Sequence, residues 1–284
     1  MEAKLLFTHA LSPLHAGTGQ GVGVIDLPIA REKATNLPYL PGSSLKGVLR
    51  DACPESDREK IFGPETTNAA DYAGSVQFTD QRLLLMPIRS LTGTFAWVTS
   101  PLVLRRFLRD AGMAKTNPFA AVTVPQSPAD DHCLVSAASK ITGTDGKVTL
   151  EDLPLKADSN TDLGTWADEL GRILFPDDKN WQEILEGRLC LVSDDTLAFL
   201  LETATEVVAR IALEDETKTV KRGALWYEES LPAESVLSGL VIAAEVKAKP
   251  ESVFNAISTI VARPLQFGGD ATVGRGLCSL RMLG

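Results

Sequence analysis

The chain has 284 residues, of which 44% are hydrophobic and 23% charged, as expected for a soluble globular protein of one large domain or two smaller ones. A formal net charge of −9 argues against non-specific binding to nucleic acid, because a negative field repels phosphates. No apolar run is long enough to span a membrane, so we expect a cytoplasmic protein without a membrane partner.

The four cysteines lie far apart in the sequence, at Cys53, Cys133, Cys190 and Cys278. Their spacing excludes a CxxC metal or redox motif. Because disulfides are rare in cytosolic proteins, we expect four buried free thiols.

The first predicted strand, residues 3–10, leads into the loop "LHAGTGQGVGVIDLPIARE" at 14–32, where four glycines alternate with single residues. This spacing fails the GxGxxG pattern of dinucleotide sites, which a helix must follow directly, whereas Pro28 follows here. Glycines let a backbone approach a ligand closely and point its N–H groups at phosphate. The loop therefore fits a mobile active-site segment flanked by His15 and Asp26. A surface histidine and a turn aspartate fit the same residues.

The segment "LPYLPGSSLKGVLRDA", residues 37–52, predicts a helix with an apolar face of Leu45, Val48, Leu49 and Ala52. Ser43 or Ser44 can cap its N-terminus. Helix N-termini attract anions, and Lys46 and Arg50 add two cations one turn apart. The pattern indicates a phosphate-binding helix, with a capped amphipathic helix carrying solvated basic residues as the alternative.

The middle of the chain changes in composition. One or two strands are expected at 75–88 and a helix at 100–112. Loop and turn signals with two helical pieces then occupy 113–188. We interpret this segment as a mainly helical or irregular insertion between the first part of the core, residues 1–112, and the rest, residues 189–284.

The last part of the chain begins with a long hairpin at 205–231, in which two strand-like runs flank the charged sequence "EDETK". A strand at 235–246, a helix at 250–264, a second glycine-rich loop at 268–276 and an alternating strand follow. Helices that alternate with mostly antiparallel strands predict an α+β fold with helices on one face of the sheet. A ferredoxin-like core accounts for this order.

The second glycine loop offers the same chemistry as the first. Gly269, Gly274 and Gly276 leave the backbone open to a ligand, and Arg275 lies between the last two. Two glycine loops and a basic helix together indicate a surface that follows a phosphate backbone.

Two of these motifs, "LPGSSLKGVLR" and "FGGDATVGRG", together resemble the RAMP superfamily of CRISPR RNA-binding proteins, whose signature is a glycine-rich loop near the C-terminus. The segments "HAGTGQGVGVIDLPIARE", "GSVQFTDQRLLLMPIRSLTGTFAWVTSPLVL" and "GALWYEESLP" look like the backbone subunit of the Cmr, or type III-B, effector complex. The resemblance covers most of the chain and is weakest at 113–188. It implies a core similar to the RNA-recognition motif with a β-hairpin thumb.

The same resemblance implies an endoribonuclease that acts within a ribonucleoprotein complex. In this family, thumbs interrupt the guide–target duplex every sixth nucleotide, and the target RNA is cut at six-nucleotide intervals. The hairpin at 205–231 looks like that thumb. Asp26 matches the family's catalytic aspartate, His15 falls on an implicated position, and Tyr227 and Glu228 are weaker matches. The implied partners are guide RNA, single-stranded target RNA, other Cmr subunits and further copies of the chain in a helical filament.

Such an enzyme would use the 2′-hydroxyl of a splayed nucleotide to attack the neighbouring phosphate, since splaying brings the two groups into line. Asp26 could hold a divalent metal, Mg²⁺ or Mn²⁺, or take the hydroxyl proton. Hard cations usually take several oxygen ligands, so we expect one aspartate to bind metal weakly without RNA.

The acidic composition is compatible with RNA binding if a local basic track contacts the RNA. The residues expected to form it are Lys46, Arg50, Lys218, Lys221, Arg222 and Arg275. Two alternatives stay open: a non-catalytic filament subunit that binds guide RNA, and a free-standing enzyme that trims guide precursors.

Overall fold

The computed structural model describes residues 1–18, 25–65 and 71–284; Gly19, Gly21 and Gly23 of the first glycine loop lie outside them. The helices are α1 (Gly42–Ala52), α2 (Glu55–Phe62), α3 (Pro101–Ala111), α4 (Thr161–Leu174), α5 (Lys179–Arg188), α6 (Asp194–Thr203) and α7 (Pro250–Ile260). The strands are β1 (Glu2–Ala10), β2 (Tyr39–Leu40), β3 (Val76–Phe78), β4 (Gln81–Ser90), β5 (Thr94–Thr99), β6 (His132–Val135), β7 (Lys147–Leu150), β8 (Leu153–Ser159), β9 (Leu189–Leu191), β10 (Glu206–Leu213), β11 (Val220–Ser230), β12 (Val236–Ala243), β13 (Leu265–Gln266) and β14 (Leu277–Met282).

The centre of the fold is an antiparallel sheet in which β14, β1, β12 and β4 lie side by side. In chain order, α1 falls between β1 and β4, and α7 falls between β12 and β14. The predicted α+β content is therefore confirmed.

Helices cover both faces of this sheet, and the expectation of one covered face was wrong. Phe7 of β1 packs against Phe107 of α3, while Lys4 lies over the ring of Phe254 in α7. Because side chains alternate along a strand, Lys4 and Phe7 point to opposite faces. A strand covered on both faces is buried at consecutive positions, and residues 5–10 of β1 are all buried.

Six strands form a closed ring beside the central sheet. The pairing runs β4–β5–β9–β6–β8–β7 and returns to β4 through the pair Ser90–Leu150. The segment 113–188 contains the two predicted helices, α4 and α5, but it also supplies β6, β7 and β8, which the sequence analysis did not predict. β6 and β7 are four residues each. β7 forms a hairpin with β8 across the turn at Glu151 and Asp152, whereas β6 pairs with β8 and β9.

Buried aromatic side chains join the elements around the ring. Phe107, Phe119 and Trp166 stack or meet edge to face within 5.8 Å between ring centroids. Burial of each such side chain contributes roughly 1.5–3 kcal/mol to folding. All four cysteines are buried and free, as predicted, and burial raises the pKa of the Cys278 thiol to about 12, which keeps that thiol unreactive.

The predicted hairpin at 205–231 is confirmed as β10 and β11, a two-stranded sheet outside the main one. We call residues 206–230 the thumb. Its strands alternate between partly buried and exposed side chains until β11 ends in three buried residues, Glu228, Glu229 and Ser230. The thumb is therefore anchored at one end only. None of the helices in the described ranges could cross a membrane.

Candidate functional site

Asp26 lies on a short segment that runs alongside the end of the thumb strand β11. Leu27 forms a parallel bridge with Glu228, and the Leu27 N–H donates to the Tyr227 carbonyl at 3.0 Å. The Tyr227 N–H donates to Asp26 Oδ2 at 2.8 Å. The side chain of Asp26 is exposed. The backbone of the thumb therefore fixes this carboxylate while leaving it open to a ligand.

His15 lies beneath this segment and is only 7% exposed. Its Nδ1 lies 2.6 Å from the Glu229 carbonyl oxygen. A carbonyl only accepts hydrogen bonds, so Nδ1 carries a proton and Nε2 is the other nitrogen available for chemistry. Nε2 faces Gly17, where a Cβ would come within 2.6 Å of it. Gly17, at the start of the first glycine loop, thus packs against the imidazole.

The second glycine loop packs against the same histidine. The Gly269 N–H donates to the His15 carbonyl at 3.0 Å, and at Gly268 a Cβ would overlap that carbonyl. The Gly276 N–H donates to the Pro13 carbonyl at 2.8 Å. Two of the predicted RNA-binding glycines, Gly269 and Gly276, therefore hold the loops together, and the two predicted loops form one surface.

Gly274 and Arg275 differ in what surrounds them. Gly274 has a φ of 83° and open space where a Cβ would be, so this stretch of backbone is free to approach a ligand. The Arg275 guanidinium donates to Glu206 Oε2 at 2.9 Å and is 17% exposed. Arg275 thus ties the second loop to the start of β10 rather than projecting into solvent.

Glu228, a predicted catalytic residue, is almost fully engaged within the protein. Its Oε2 accepts from Arg210 Nε at 2.9 Å and its Oε1 from Trp226 Nε1 at 2.7 Å. Burial opposes ionisation of this carboxyl, but the hydrogen bonds from Trp226 and Arg210 and the positive charge of Arg210 outweigh it and lower the pKa of Glu228. Glu228 is therefore a carboxylate that organises the thumb.

Tyr227 contributes to the site through its backbone. Its N–H binds Asp26, whereas its side chain is 41% exposed on the outer face of the thumb. The structure thus places Asp26, His15, Tyr227 and Glu228 close to the base of the thumb, and each is held in a different way.

The sequence analysis missed five polar residues at this site: Arg31, Thr205, Arg210, Trp226 and Glu229. The Glu229 carboxylate, 3% exposed, accepts hydrogen bonds from the Ile29 N–H at 3.0 Å, from Thr205 at 2.9 Å and from Arg31 at 2.7 Å. The pair of consecutive glutamates in an otherwise apolar strand end was the one available signal. Their partners lie up to 200 residues away and could not be identified from the sequence.

The basic helix α1 has a different environment. It begins at Gly42, and neither Ser43 nor Ser44 caps it through a side chain, so that prediction was wrong. Asp80 Oδ1 instead accepts from the Gly42 N–H at 2.8 Å and supplies the anion that a helix N-terminus favours. Arg50 donates to the Gly63 carbonyl at 2.6 Å. Lys46 is partly exposed.

The predicted lysines of the thumb lie far from Asp26. Lys218 has a φ of 54° at the exposed tip, and Lys221 is partly buried near the start of β11. About seven residues of strand separate Val220 from Tyr227, which corresponds to roughly 23 Å. Acidic residues share the tip, at Glu214, Asp215 and Glu216. These lysines can contact only a long ligand that also reaches Asp26.

Within residues 1–18, 25–65 and 71–284, no group of three or more His, Cys, Asp or Glu side chains is placed to hold a metal ion. Asp26 by itself supplies one carboxylate ligand. Hard divalent cations take six or more oxygen ligands, so further ligands would have to come from water or from a bound phosphate.

Comparison with known proteins gives consistent results. Residues 9–279 match the family model of the RAMP superfamily. The CRISPR system Cmr endoribonuclease Cmr4 of Pyrococcus furiosus is 35% identical over 291 residues, covering 99% of this chain and 96% of that protein.

Solved structures agree with this similarity. The crystal structure of oligomeric Cmr4 from Pyrococcus furiosus gives a TM-score of 0.75 at 30% identity and covers 100% of this chain and 98% of that one. A chain of the cryo-EM structure of the Type III-B Cmr-beta bound to cognate target RNA gives 0.76 at 19% identity, over 99% of this chain and 97% of that one. At that identity the likeness shows a shared fold.

Proposed function

The chain belongs to the RAMP superfamily and, within it, to the family of Cmr4 subunits, and on that premise we propose that it is the target-cleaving endoribonuclease of a type III-B CRISPR complex. It binds guide RNA as a repeated backbone subunit and cuts complementary target RNA at six-nucleotide intervals. Its partners are the guide RNA, the single-stranded target RNA, other Cmr subunits and further copies of itself in a helical filament.

One observation carries this proposal: an exposed carboxylate is held at the base of a protruding hairpin, beside two joined glycine loops. Asp26 Oδ2 is fixed by the Tyr227 N–H at 2.8 Å. A nucleotide displaced by the thumb would emerge where this carboxylate lies. Positioning of reacting groups can supply roughly 7–11 kcal/mol of a reaction barrier in ideal cases.

The cleavage step needs no outside reactant. The 2′-oxygen forms a bond to the adjacent phosphorus while the bond from phosphorus to the 5′-oxygen breaks. The 2′-hydroxyl loses its proton and the departing 5′-oxygen takes one up from water, so the products are a 2′,3′-cyclic phosphate and a 5′-hydroxyl. Asp26 either accepts the proton of the 2′-hydroxyl or holds a cation; both roles require its carboxylate to be free of a permanent cation partner.

The neighbouring residues support Asp26 without replacing it. His15 is too buried to approach an RNA freely, so its role is to join the two glycine loops through Gly17 and Gly269. Glu228 is occupied by Arg210 and Trp226 and fixes the thumb base. Tyr227 provides the N–H that orients Asp26.

A divalent cation, Mg²⁺ or Mn²⁺, belongs to the proposal as a weakly held group. Asp26 would provide one oxygen ligand, and phosphate oxygens of the RNA and water would provide the others. When bound there, such a cation supplies charge stabilisation for the developing phosphorane.

The guide RNA is proposed to follow the side of the molecule that carries the glycine loops. The open backbone at Gly274 and the exposed cations of the thumb, Lys218 and Arg222, support that path. The sheet order β14–β1–β12–β4, with α1 and α7 as the connecting helices, supports a core of ferredoxin-like type, similar to the RNA-recognition motif.

A reconstituted complex with a labelled complementary RNA tests the proposal. We expect a ladder of products with six-nucleotide spacing that disappears upon addition of a chelator and in the Asp26→Asn complex. If the assembled Asp26→Asn complex still produces the ladder, Asp26 is not catalytic and the proposed mechanism is wrong. If purified protein alone trims guide precursor RNA, the chain is a free-standing processing enzyme.

A further inference from the structure

Arg31 follows the Asp26 segment in the chain. Its side chain has three hydrogen-bond partners within the protein. Its guanidinium donates to Glu229 Oε1 at 2.7 Å, to the Leu201 carbonyl at 3.0 Å and to the Asn36 carbonyl at 3.1 Å. The side chains of Arg31 and Glu229 are 17% and 4% exposed. This arginine therefore connects β11 to the end of α6.

Glu229 extends the connection to both strands of the thumb and to the Asp26 segment. It lies on β11, and its carboxylate accepts from Thr205, the residue before β10, at 2.9 Å. Its second oxygen accepts from the Ile29 N–H at 3.0 Å. The buried carboxylate of Glu229 thus accepts hydrogen bonds from Thr205, just before the thumb, and from the segment that carries Asp26.

The position of Asp26 depends on this arrangement. The Asp26 side chain accepts from the Tyr227 N–H, and the Leu27 backbone pairs with Tyr227 and Glu229 of β11. The Ile29 N–H donates to the Glu229 carboxylate. Without Arg31, Glu229 would be a buried carboxylate without its ion-pair partner, and such a group draws in water or rotates towards solvent. Either response releases the Ile29 N–H and loosens the segment beside the thumb.

We infer that Arg31 is a positioning residue for RNA cleavage: through Glu229 it fixes the Asp26 segment and the thumb in one rigid arrangement. The inference rests on the proposed function of Asp26. Because its partners within the protein occupy the Arg31 guanidinium, we expect Arg31 to govern the rate of the cleavage step and to leave target binding unchanged. A misplacement of about 1 Å at a reacting group can slow a reaction by about a hundredfold.

The test uses the fully assembled complex with guide RNA and saturating labelled target. In the Arg31→Gln complex we expect the single-turnover cleavage rate to fall by about tenfold to a hundredfold, with target affinity within about twofold of the unaltered complex. Arg31→Lys keeps the charge but loses the forked geometry, so its rate should lie between the two. Hydrogen exchange of residues 25–31 and 226–230 should accelerate in Arg31→Gln.

Arg106→Gln is the matched control. Arg106 binds Glu32, the residue after Arg31, and the two side chains are 20% and 21% exposed. Within the described part of the chain, this pair forms no hydrogen bond or ion pair with Glu229. A role in stability alone would make both variants less stable and leave both cleavage rates unchanged. We expect the control to lose stability and keep its rate.

The outcomes separate two failures. If Asp26→Asn abolishes cleavage and Arg31→Gln cleaves within about twofold of the unaltered rate, the inference about Arg31 is wrong and the proposed function stands. If Asp26→Asn cleaves normally, the proposed function fails first. Should Arg31→Gln not assemble, Arg31→Lys decides: a slower rate at unchanged target affinity supports the inference, and an unchanged rate overturns it.

Discussion

The two ends of the thumb differ in how their side chains are used. At the base, Glu228 and Glu229 are buried: Glu228 accepts hydrogen bonds from within the thumb, and Glu229 accepts them from residues outside it. Further along, Ile211 and Leu225 are each about half exposed on one face. The same two strands therefore combine a rigid base with a surface that nothing in the described structure covers. Rigidity at the base suits chemistry, and an exposed apolar face suits contact with another molecule.

Among substitutions that test this difference between the two ends of the thumb, Asp26→Asn is expected to have the largest effect. Asp26→Asn keeps an oxygen to accept the Tyr227 N–H, so the segment should stay in place while the negative charge is lost. Loss of a proton acceptor or cation ligand should reduce target cleavage by about a hundredfold or more. Quantified cleavage products from the assembled complex measure this. Asp152→Asn, at an exposed turn, is the control and should cut normally.

The next largest effect is expected at Gly276 in the second glycine loop, which supports the base of the thumb. Gly276 has a φ of 75° and a neighbouring carbonyl, that of Phe267, in the space of a Cβ. Gly276→Ala should therefore destabilise the fold by about 2–4 kcal/mol. Gly274→Ala meets open space and should cost only about 1–2 kcal/mol of backbone strain. Equal denaturation midpoints for the two variants would contradict the described packing of this loop.

A smaller effect, dependent on pH, is expected at Glu228. Its pKa is lower in the folded protein than its ordinary value of 4.5, so its contribution to stability is present above pH 4.5 and is lost as the pH falls through the folded value. Glu228→Gln should reduce the free energy of unfolding at pH 7 by about 1–3 kcal/mol. Urea titrations at several pH values measure this. The difference should shrink below pH 4.5, and a constant difference would show that the charge of Glu228 is not responsible.

The smallest effect is expected on the outer face of the thumb. Ile211 is 50% exposed, so Ile211→Thr should change the free energy of unfolding by no more than about 0.5 kcal/mol. Leu231 follows the thumb and is fully buried, so Leu231→Ala should cost about 2–5 kcal/mol. Urea denaturation of both variants tests the contrast. A large loss at Ile211 would mean that the outer face packs against the protein.

The sequence predicted those parts of the fold that local patterns determine. The thumb, α3 and α7 follow from periodicity and from proline or glycine at their ends. The strands β6, β7 and β8 of the closed ring were missed because they are short and have weak local signals. β6 also depends on pairing with β8 and β9, which do not adjoin it in the chain, whereas β7 and β8 form a local hairpin whose turn was not recognised. The burial of both faces of β1 was also not predicted, since the sequence of a single strand does not reveal which helices will pack on it.

The candidate site was predicted in its residue types more than in its contacts. Asp26 and His15 drew notice because they flank a glycine run, and Glu228 through the family resemblance. That Arg275 would bind Glu206, or that Arg31 would bind Glu229, depends on side chains brought together from opposite parts of the chain. Electrostatics predicts that a buried charge has an oppositely charged partner, but not where in the sequence that partner lies.

The bond between Asp26 and Tyr227 spans 201 residues, and the bond between His15 and Gly269 joins two loops near opposite ends of the chain. During synthesis on the ribosome, the Asp26 segment emerges long before β11 and the second glycine loop exist. A nascent or prematurely terminated chain thus carries the carboxylate without the backbone that orients it. The candidate site is therefore complete only once nearly the whole polypeptide has been made.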